Sequence, residues 1–166
     1  MTNTYHATPY DISATGFYFS SYDDYTAKAA EHRNDHGQPV EEFEIQFIDG
    51  DVFELFDALK VNQATLSTWF EQFEGLDDDE AHKAIYLASY EGCGMDQILE
   101  QLDDVHLFEG TAIEYAESYI EDTGLLDQIP ESLRYYFDTE AFARDLQLGG
   151  DITVIEIDGQ SYVAQA

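Results

Sequence analysis

The chain has very few basic residues. Its 166 residues include 6 lysines and arginines against 36 aspartates and glutamates, which gives a formal net charge of −30 at pH 7. Proteins bind phosphate groups mainly through lysine and arginine side chains. The composition therefore excludes nucleic acid, anionic membranes and acidic substrates as expected partners. It favours basic surfaces, cations or water instead.

Other absences narrow the class of protein further. No run of about 18 apolar residues is present, so no membrane-spanning helix is expected. The first residues have neither the basic flank nor the apolar core of a signal peptide. Cys93 is the only cysteine, so no intrachain disulfide can form. This cysteine usage is typical of a protein in the reducing cytoplasm.

Sequence motifs of catalysis are also missing. The chain has no Gly-x-Ser-x-Gly elbow, no phosphate-binding loop and no dinucleotide fingerprint. Pairs of carboxylates can hydrolyse glycosidic bonds, but such pairs arise by chance among 36 acidic residues. We therefore expect no catalytic residues, no cofactor and no enzymatic activity.

Three sequence features are better explained by local structure than by a metal site or a catalytic site. The acidic run 77–80 lacks the alternating oxygen ligands and the glycine of an EF-hand loop, and it is typical of a helix N-terminus. His32 and His36 are four residues apart near a predicted helix end, but no third metal ligand is evident. Cys93 has no basic neighbour in sequence that would activate its thiol. We expect no metal site.

The composition is nevertheless that of a folded protein, since 44% of the residues are apolar and 14% are aromatic. Residue periodicity predicts an α+β fold. Strands are predicted over 4–8, 16–19, 42–48 and 105–108, with a hairpin over 152–157 and 160–164. Helices are predicted over 22–34, 66–73, 81–88, 95–102, 111–124 and 138–148.

These elements predict three small domains. Residues 1–61 form a mixed α/β N-terminal domain, residues 62–103 a small central helical bundle, and residues 104–166 a mixed α/β C-terminal domain with the β-hairpin. The three segments carry net charges of −9, −9 and −12, so the negative charge belongs to the whole protein and not to a tail.

The predicted helix at 111–124 has unusually clear ends. Thr111 and Glu114 have the spacing of a capping box, and Gly124 supplies a left-handed stop. Five apolar residues recur at helical spacing and are expected to form a buried face: Ala112, Ile113, Ala116, Tyr119 and Ile120.

The opposite side of this helix carries a stripe of carboxylates, Glu114, Glu117 and Glu121, with no basic residue near in sequence. Like charges at this spacing destabilise a helix by about 0.2–0.5 kcal/mol per pair. A sequence that tolerates this cost repeatedly is expected to use the negative surface.

The amount of charge suggests what that use is. Duplex DNA carries about one negative charge per 1.7 Å of axis, so thirty charges at that density would cover roughly 50 Å. A compact sphere of this length has a diameter of about 40 Å and could not carry them along one side. An elongated arrangement of small domains could, which favours a decoy of nucleic acid.

Two other classes of protein have similar compositions: salt-adapted halophilic proteins and acidic chaperones of basic proteins. Composition alone does not separate these two classes from a decoy of nucleic acid.

Part of the chain resembles the ArdA antirestriction family. The resemblance covers about residues 115–148 and rests on Glu-x-x-Gly in 119–126, Pro-x-x-Leu in 129–133, Tyr-Phe-Asp at 136–138 and Arg-Asp-Leu in 143–146. It implies a curved, elongated α+β protein of three domains that forms a homodimer through its C-terminal domain. It also implies a mimic of bent DNA, encoded on mobile genetic elements, that inhibits type I restriction–modification enzymes.

The resemblance and the charge pattern together predict the site residues. The carboxylates expected to stand in for phosphates are Asp77, Asp78, Asp79, Glu80, Glu100, Asp103, Asp104, Glu109, Glu114, Glu117, Glu121 and Asp122. The antirestriction-like segment, expected to support the dimer, contains Leu125, Leu126, Pro130, Leu133, Tyr135, Tyr136, Phe137 and Asp138. The expected partner is the DNA-binding core of a type I restriction–modification enzyme.

Overall fold

The computed structural model describes residues 2–165 and has the predicted α+β character. The helices are α1 (Tyr22–Glu31), α2 (Phe53–Ala58), α3 (Leu66–Thr68), α4 (Asp78–Ser89), α5 (Met95–Gln101), α6 (Ala112–Thr123), α7 (Glu131–Arg134) and α8 (Thr139–Gly149). The strands are β1 (Thr4–Pro9), β2 (Phe17–Phe19), β3 (Phe43–Asp49), β4 (Leu107–Glu109), β5 (Ile152–Ile157) and β6 (Gln160–Gln165). No helix within residues 2–165 is long and apolar enough to cross a membrane.

The chain divides into two compact units, Met1–Ile98 and Leu99–Ala166. The first unit contains an antiparallel sheet with the strand order β2-β1-β3. The second contains an antiparallel sheet with the order β4-β6-β5. The division into three domains at 61 and 103 stays a prediction.

An aromatic cluster around Tyr5 forms the core of the first unit. Tyr5 is fully buried on β1, and the rings of Phe56, Trp69 and Phe70 lie 5.2–6.5 Å from its ring. Trp69 belongs to a π-helical turn, Trp69–Phe73, that continues α3. The sheet and the first helices of the predicted central bundle therefore share one hydrophobic core.

Hydrogen bonds fix the polar atoms within this core. The indole N–H of Trp69 donates to Tyr5 Oη at 3.0 Å, and the Tyr5 hydroxyl donates to Glu74 Oε1 at 2.7 Å. Burial, together with the hydrogen bond to Glu74, raises the pKa of Tyr5 well above its ordinary value. The tyrosine thus keeps its proton and holds the π-helical turn against β1.

The first helix is shorter than its sequence predicts. Helix α1 ends at Glu31, whereas the prediction extended to residue 34, because His32 adopts an extended conformation. Arg33 then forms an isolated β-bridge with Pro39, and the N–H of Val40 donates to the carbonyl of His32 at 3.3 Å. The helix therefore ends where this hairpin-like pairing begins, and the pairing depends on the tertiary fold.

In the second unit α6 packs against α8, and α8 packs against β5. Ala116 and Ile120 of α6 and Ala143 of α8 are buried, together with Ile155 and Val163 of the sheet. The β5–β6 hairpin turns at Asp158-Gly159, where both residues have positive φ angles, as the sequence predicts.

The predicted buried face of α6 is too wide. Ala116 and Ile120 are buried, but Ile113 is 40% and Tyr119 37% exposed. The contact with α8 and the sheet uses a narrow stripe at i, i+4 spacing, and Tyr119 lies at the edge of this stripe. Ile113 lies at nearly the same angle around the helix as Ile120, but it is in the first turn of α6. The prediction was therefore wrong for Ile113 and Tyr119.

Candidate functional site

The acidic side chains lie almost entirely at the surface. Of the 36 acidic residues, all within the described range, only Asp11, Asp24, Glu54 and Glu74 are partly buried, and none is fully buried. The first unit has twenty acidic and four basic residues, a net charge of −16, and the second has sixteen and two, a net charge of −14. Both units therefore carry an unbalanced negative surface.

Some carboxylates have structural roles. Asp11 accepts hydrogen bonds from Asn34 Nδ2 at 2.8 Å and from the hydroxyl and backbone N–H of Ser13, and these bonds lower the pKa of Asp11 to about 2. Glu74 accepts from Tyr5 and from Asn3 Nδ2. These carboxylates organise loops and the core, and they lie outside the predicted site set.

Three basic side chains form ion pairs with acidic residues that are close in sequence. Lys28 Nζ lies 2.9 Å from Asp24 Oδ2, Lys83 Nζ lies 2.6 Å from Asp79 Oδ2, and Arg134 Nη1 lies 3.5 Å from Asp127 Oδ1. Exposed pairs of this kind contribute about 0–1 kcal/mol each. They leave the large excess of surface carboxylates without a compensating charge.

All twelve carboxylates predicted to stand in for phosphates are exposed. In the first unit, the predicted residues 77–80 form the start of α4. In the second, Glu100 lies on α5, Asp103 and Asp104 on the 3-10 turn Leu102–Asp104, Glu109 at the end of β4, and the remaining four on α6. Exposure is necessary for contact with a partner, but the role of these residues stays a prediction.

At α4 the carboxylates also stabilise the helix. Asp77 and Glu80 form a capping box, in which the Glu80 N–H donates to Asp77 Oδ1 at 2.9 Å and the Asp77 N–H donates to Glu80 Oε2 at 3.4 Å. Asp79 pairs with Lys83. Their position at the positive end of the helix dipole is favourable. No group of three or more potential metal ligands is found within residues 2–165.

At α6 the carboxylates occupy both favourable and unfavourable positions. The Glu114 N–H donates to Thr111 Oγ1 at 3.2 Å and Glu114 Oε2 accepts from the Thr111 N–H at 2.7 Å, so the predicted capping box is confirmed. Gly124 ends the helix in the left-handed conformation, with φ of 61°. Glu121 and Asp122, however, lie in the last turn, where the helix dipole disfavours negative charge.

An open cleft of about 430 Å³ lies beside the C-terminal half of α6. Its lining includes Glu117, Glu121 and Ile120 from α6, and Leu126 and Asp127 from the 3-10 turn Leu125–Gln128 that follows. Thr139, at the start of α8, completes it. Asp127 and Thr139 were not predicted as site residues. Thr139 could not be predicted, because only the packing of α8 against α6 brings it to this helix.

The antirestriction-like segment is largely exposed. Leu133, Tyr135 and Tyr136 are 53%, 90% and 78% exposed. Leu125, Leu126 and Phe137 are partly buried, and Pro130 is exposed. Asp138 has a local role, since its Oδ1 accepts the N–H of Ala141 and so caps α8 as predicted.

The remaining candidate residues have ordinary packing roles. His32 lies beyond the end of α1, packs between Phe17 and Phe43, and contacts the carbonyl of Thr15 at 2.5 Å. Cys93 is half-buried. Near it, burial and a 2.7 Å hydrogen bond to Glu91 raise the pKa of Tyr86 to about 12.

Comparison with protein-family models identifies a family. The model described as Antirestriction protein (ArdA) matches residues 10–160 of the 166. This range contains all twelve predicted carboxylates and the whole antirestriction-like segment. Comparison with curated proteins gives no match.

The two ends of α6 predict opposite effects of one chemical change. Glu114→Gln removes a charge from the favourable end and should lower the free energy of unfolding, whereas Glu121→Gln removes one from the unfavourable end and should raise it. Each variant relieves general repulsion by about the same amount, so their difference measures the dipole effect at the two ends together with the charge-assisted capping bond of Glu114. We expect a difference of about 0.6–2 kcal/mol, measured by urea denaturation at low salt.

Each variant serves as the other's control. A difference of zero, or one of opposite sign, would show that Glu121 is not in an unfavourable position. A difference that disappears in 1 M NaCl is expected, since salt screens exposed charges.

Proposed function

Because the chain belongs to the antirestriction protein (ArdA) family, we propose that it acts as a mimic of DNA that occupies the DNA-binding groove of type I restriction–modification enzymes. Antirestriction is the function of the family, and its members interact with type I restriction enzymes. The protein thereby inhibits restriction and also modification, and it acts as an inhibitor without catalysing a reaction. Because its partner acts on DNA within the cell, its place of action is the cytoplasm.

The density of exposed carboxylates on α6 is the observation that carries this proposal. Glu114, Glu117, Glu121 and Asp122 are exposed along eight residue steps of one helix. At about 1.5 Å per residue they span roughly 12 Å, or one charge per 3 to 4 Å. One strand of duplex DNA presents a charge every 3.4 Å, roughly the same spacing.

The proposed binding mechanism is electrostatic. Lysines and arginines that line the enzyme's DNA groove meet carboxylates in place of phosphates. The ions condensed around a dense row of charges are released on contact, and this release supplies much of the affinity. Because many carboxylates contribute to the binding free energy, a single exposed Glu→Gln change outside any pocket should weaken inhibition only slightly.

Competition with DNA tests the proposal. The purified protein should displace duplex DNA from the methyltransferase core of a type I enzyme, as measured by fluorescence anisotropy of labelled DNA. If the protein replaces six to ten phosphate contacts, its affinity should fall by roughly 10³–10⁵ between 50 and 200 mM salt, as for DNA itself.

Three results would contradict the proposal. Absence of displacement at any concentration would favour an acidic chaperone or a salt-adapted protein. Unfolding at low salt, with recovery in molar KCl, would assign the charge to halophilic adaptation. A salt-independent inhibition would also exclude an electrostatic mimic.

We also propose that the chain forms a homodimer through the antirestriction-like segment. Leu133, Tyr135 and Tyr136 expose their side chains within a few residues of one another. Aromatic side chains bury 150–250 Å² each in typical interfaces, so they are suitable anchors for a second copy.

Substitution of these aromatic residues tests the dimer. Tyr135→Ser with Tyr136→Ser should convert the protein to a monomer at micromolar concentration, measured by size-exclusion chromatography with light scattering. The control is Tyr10→Ser with Tyr90→Ser, which removes two exposed tyrosines of the first unit. Retention of the dimer in the first variant would place the interface elsewhere.

A further inference from the structure

The cleft beside α6 contains two carboxylates with no partner in the described chain. Glu117 and Glu121 line it, and neither side chain forms a hydrogen bond or ion pair with any residue in 2–165. The other acids nearby are engaged: Glu114 caps α6, and Asp127 pairs with Arg134 at 3.5 Å. The cleft thus has two available charges on adjacent turns of one helix, about 5–6 Å apart at their Cβ atoms.

The same cleft has an apolar part, which distinguishes it from the rest of the acidic surface. Ile120, only 8% exposed, and the half-buried Leu126 lie in its lining beside the carboxylates. A ligand that matches both features needs an apolar stem and a cationic head. Its position between two carboxylates also excludes an anionic ligand.

We propose that this cleft receives an arginine side chain of the restriction enzyme and is an anchor point within the otherwise distributed acidic surface. The inference rests on the proposed function and names the group that the partner inserts. Arginine carries apolar methylenes that can cover Ile120 and Leu126. Its planar guanidinium has five N–H donors and can donate to Glu117 and Glu121 together, which the compact ammonium of lysine does less well.

The size of the cleft agrees with this occupant. A volume of about 430 Å³ accommodates an arginine side chain together with part of the loop that carries it. A few side chains that fill well-packed pockets dominate the energetics of protein interfaces, and arginine is enriched among them. Glu117 and Glu121, the cleft pair, should therefore contribute more to inhibition than two carboxylates at the same spacing on an open helix surface.

Matched double variants test the anchor. Glu117→Gln with Glu121→Gln removes the cleft pair, and Asp96→Asn with Glu100→Gln removes two exposed carboxylates at the same i, i+4 spacing on α5. Inhibition is measured by competition against labelled DNA on a type I enzyme that the unaltered protein inhibits. We expect the cleft variant to need at least about 10-fold more protein, and the α5 variant at most about 3-fold more.

A filling variant separates the shape of the cleft from its charge. Thr139→Trp places a large side chain in the cleft and leaves the net charge unchanged. It should weaken inhibition about as much as the cleft double variant does, with circular dichroism and thermal unfolding confirming that each variant is folded. The loss should also be greater than that caused by Glu156→Gln, an exposed single change on β5.

Three outcomes would overturn the anchor. Equal losses of inhibition in the two double variants would indicate a DNA mimic that has no anchor at this cleft. Unimpaired inhibition by a folded Thr139→Trp variant would show that nothing enters the cleft. Conversion of the cleft variant to a monomer would identify a second copy of the chain as the occupant. Failure of the unaltered protein to displace DNA is a different result and would refute the proposed function itself.

Discussion

Electrostatic self-repulsion is the constraint with which every part of this fold must comply. A net charge of −30 on 166 residues opposes any compact state, and the few basic side chains pair with only a few of the acids. The structure meets the constraint by keeping carboxylates at the surface and by burying aromatic rings around Tyr5 in the first unit and aliphatic side chains around Val163 in the second. Hydrophobic burial does not depend on net charge, so it can stabilise a protein whose surface charges repel one another.

Carboxylates at helix N-termini offset part of the repulsion, whereas those at the C-terminus of α6 do not. Carboxylates in the capping boxes of α4 and α6 satisfy backbone N–H groups and lie at the positive end of the helix dipole. Glu121 and Asp122 lie at the other end of α6, where the same charge is unfavourable. Stability gives no reason for this placement, whereas the proposed binding to a basic groove does. The cleft that Glu117 and Glu121 line is the proposed anchor within an otherwise distributed surface.

Features set by neighbouring residues could be predicted from the sequence, and features set by tertiary contact could not. Thr111 with Glu114, Gly124, and the Asp158-Gly159 turn are local signals, and each has the predicted conformation. The early end of α1 depends on the Arg33–Pro39 bridge, and the exposure of Tyr119 depends on how narrowly α6 meets α8. The exposed carboxylates were predictable from charge alone. The cleft was not, because Thr139 joins it only when α8 packs against α6.

The structure of the protein bound to a type I restriction–modification enzyme, determined by electron cryomicroscopy, would test most directly whether carboxylates replace phosphates. The account predicts that the protein lies in the DNA groove, with Glu114, Glu117, Glu121 and Asp122 within about 4 Å of lysine or arginine side chains that otherwise contact DNA phosphates. A complex in which the protein binds outside that groove, or in which α6 faces solvent, would contradict it.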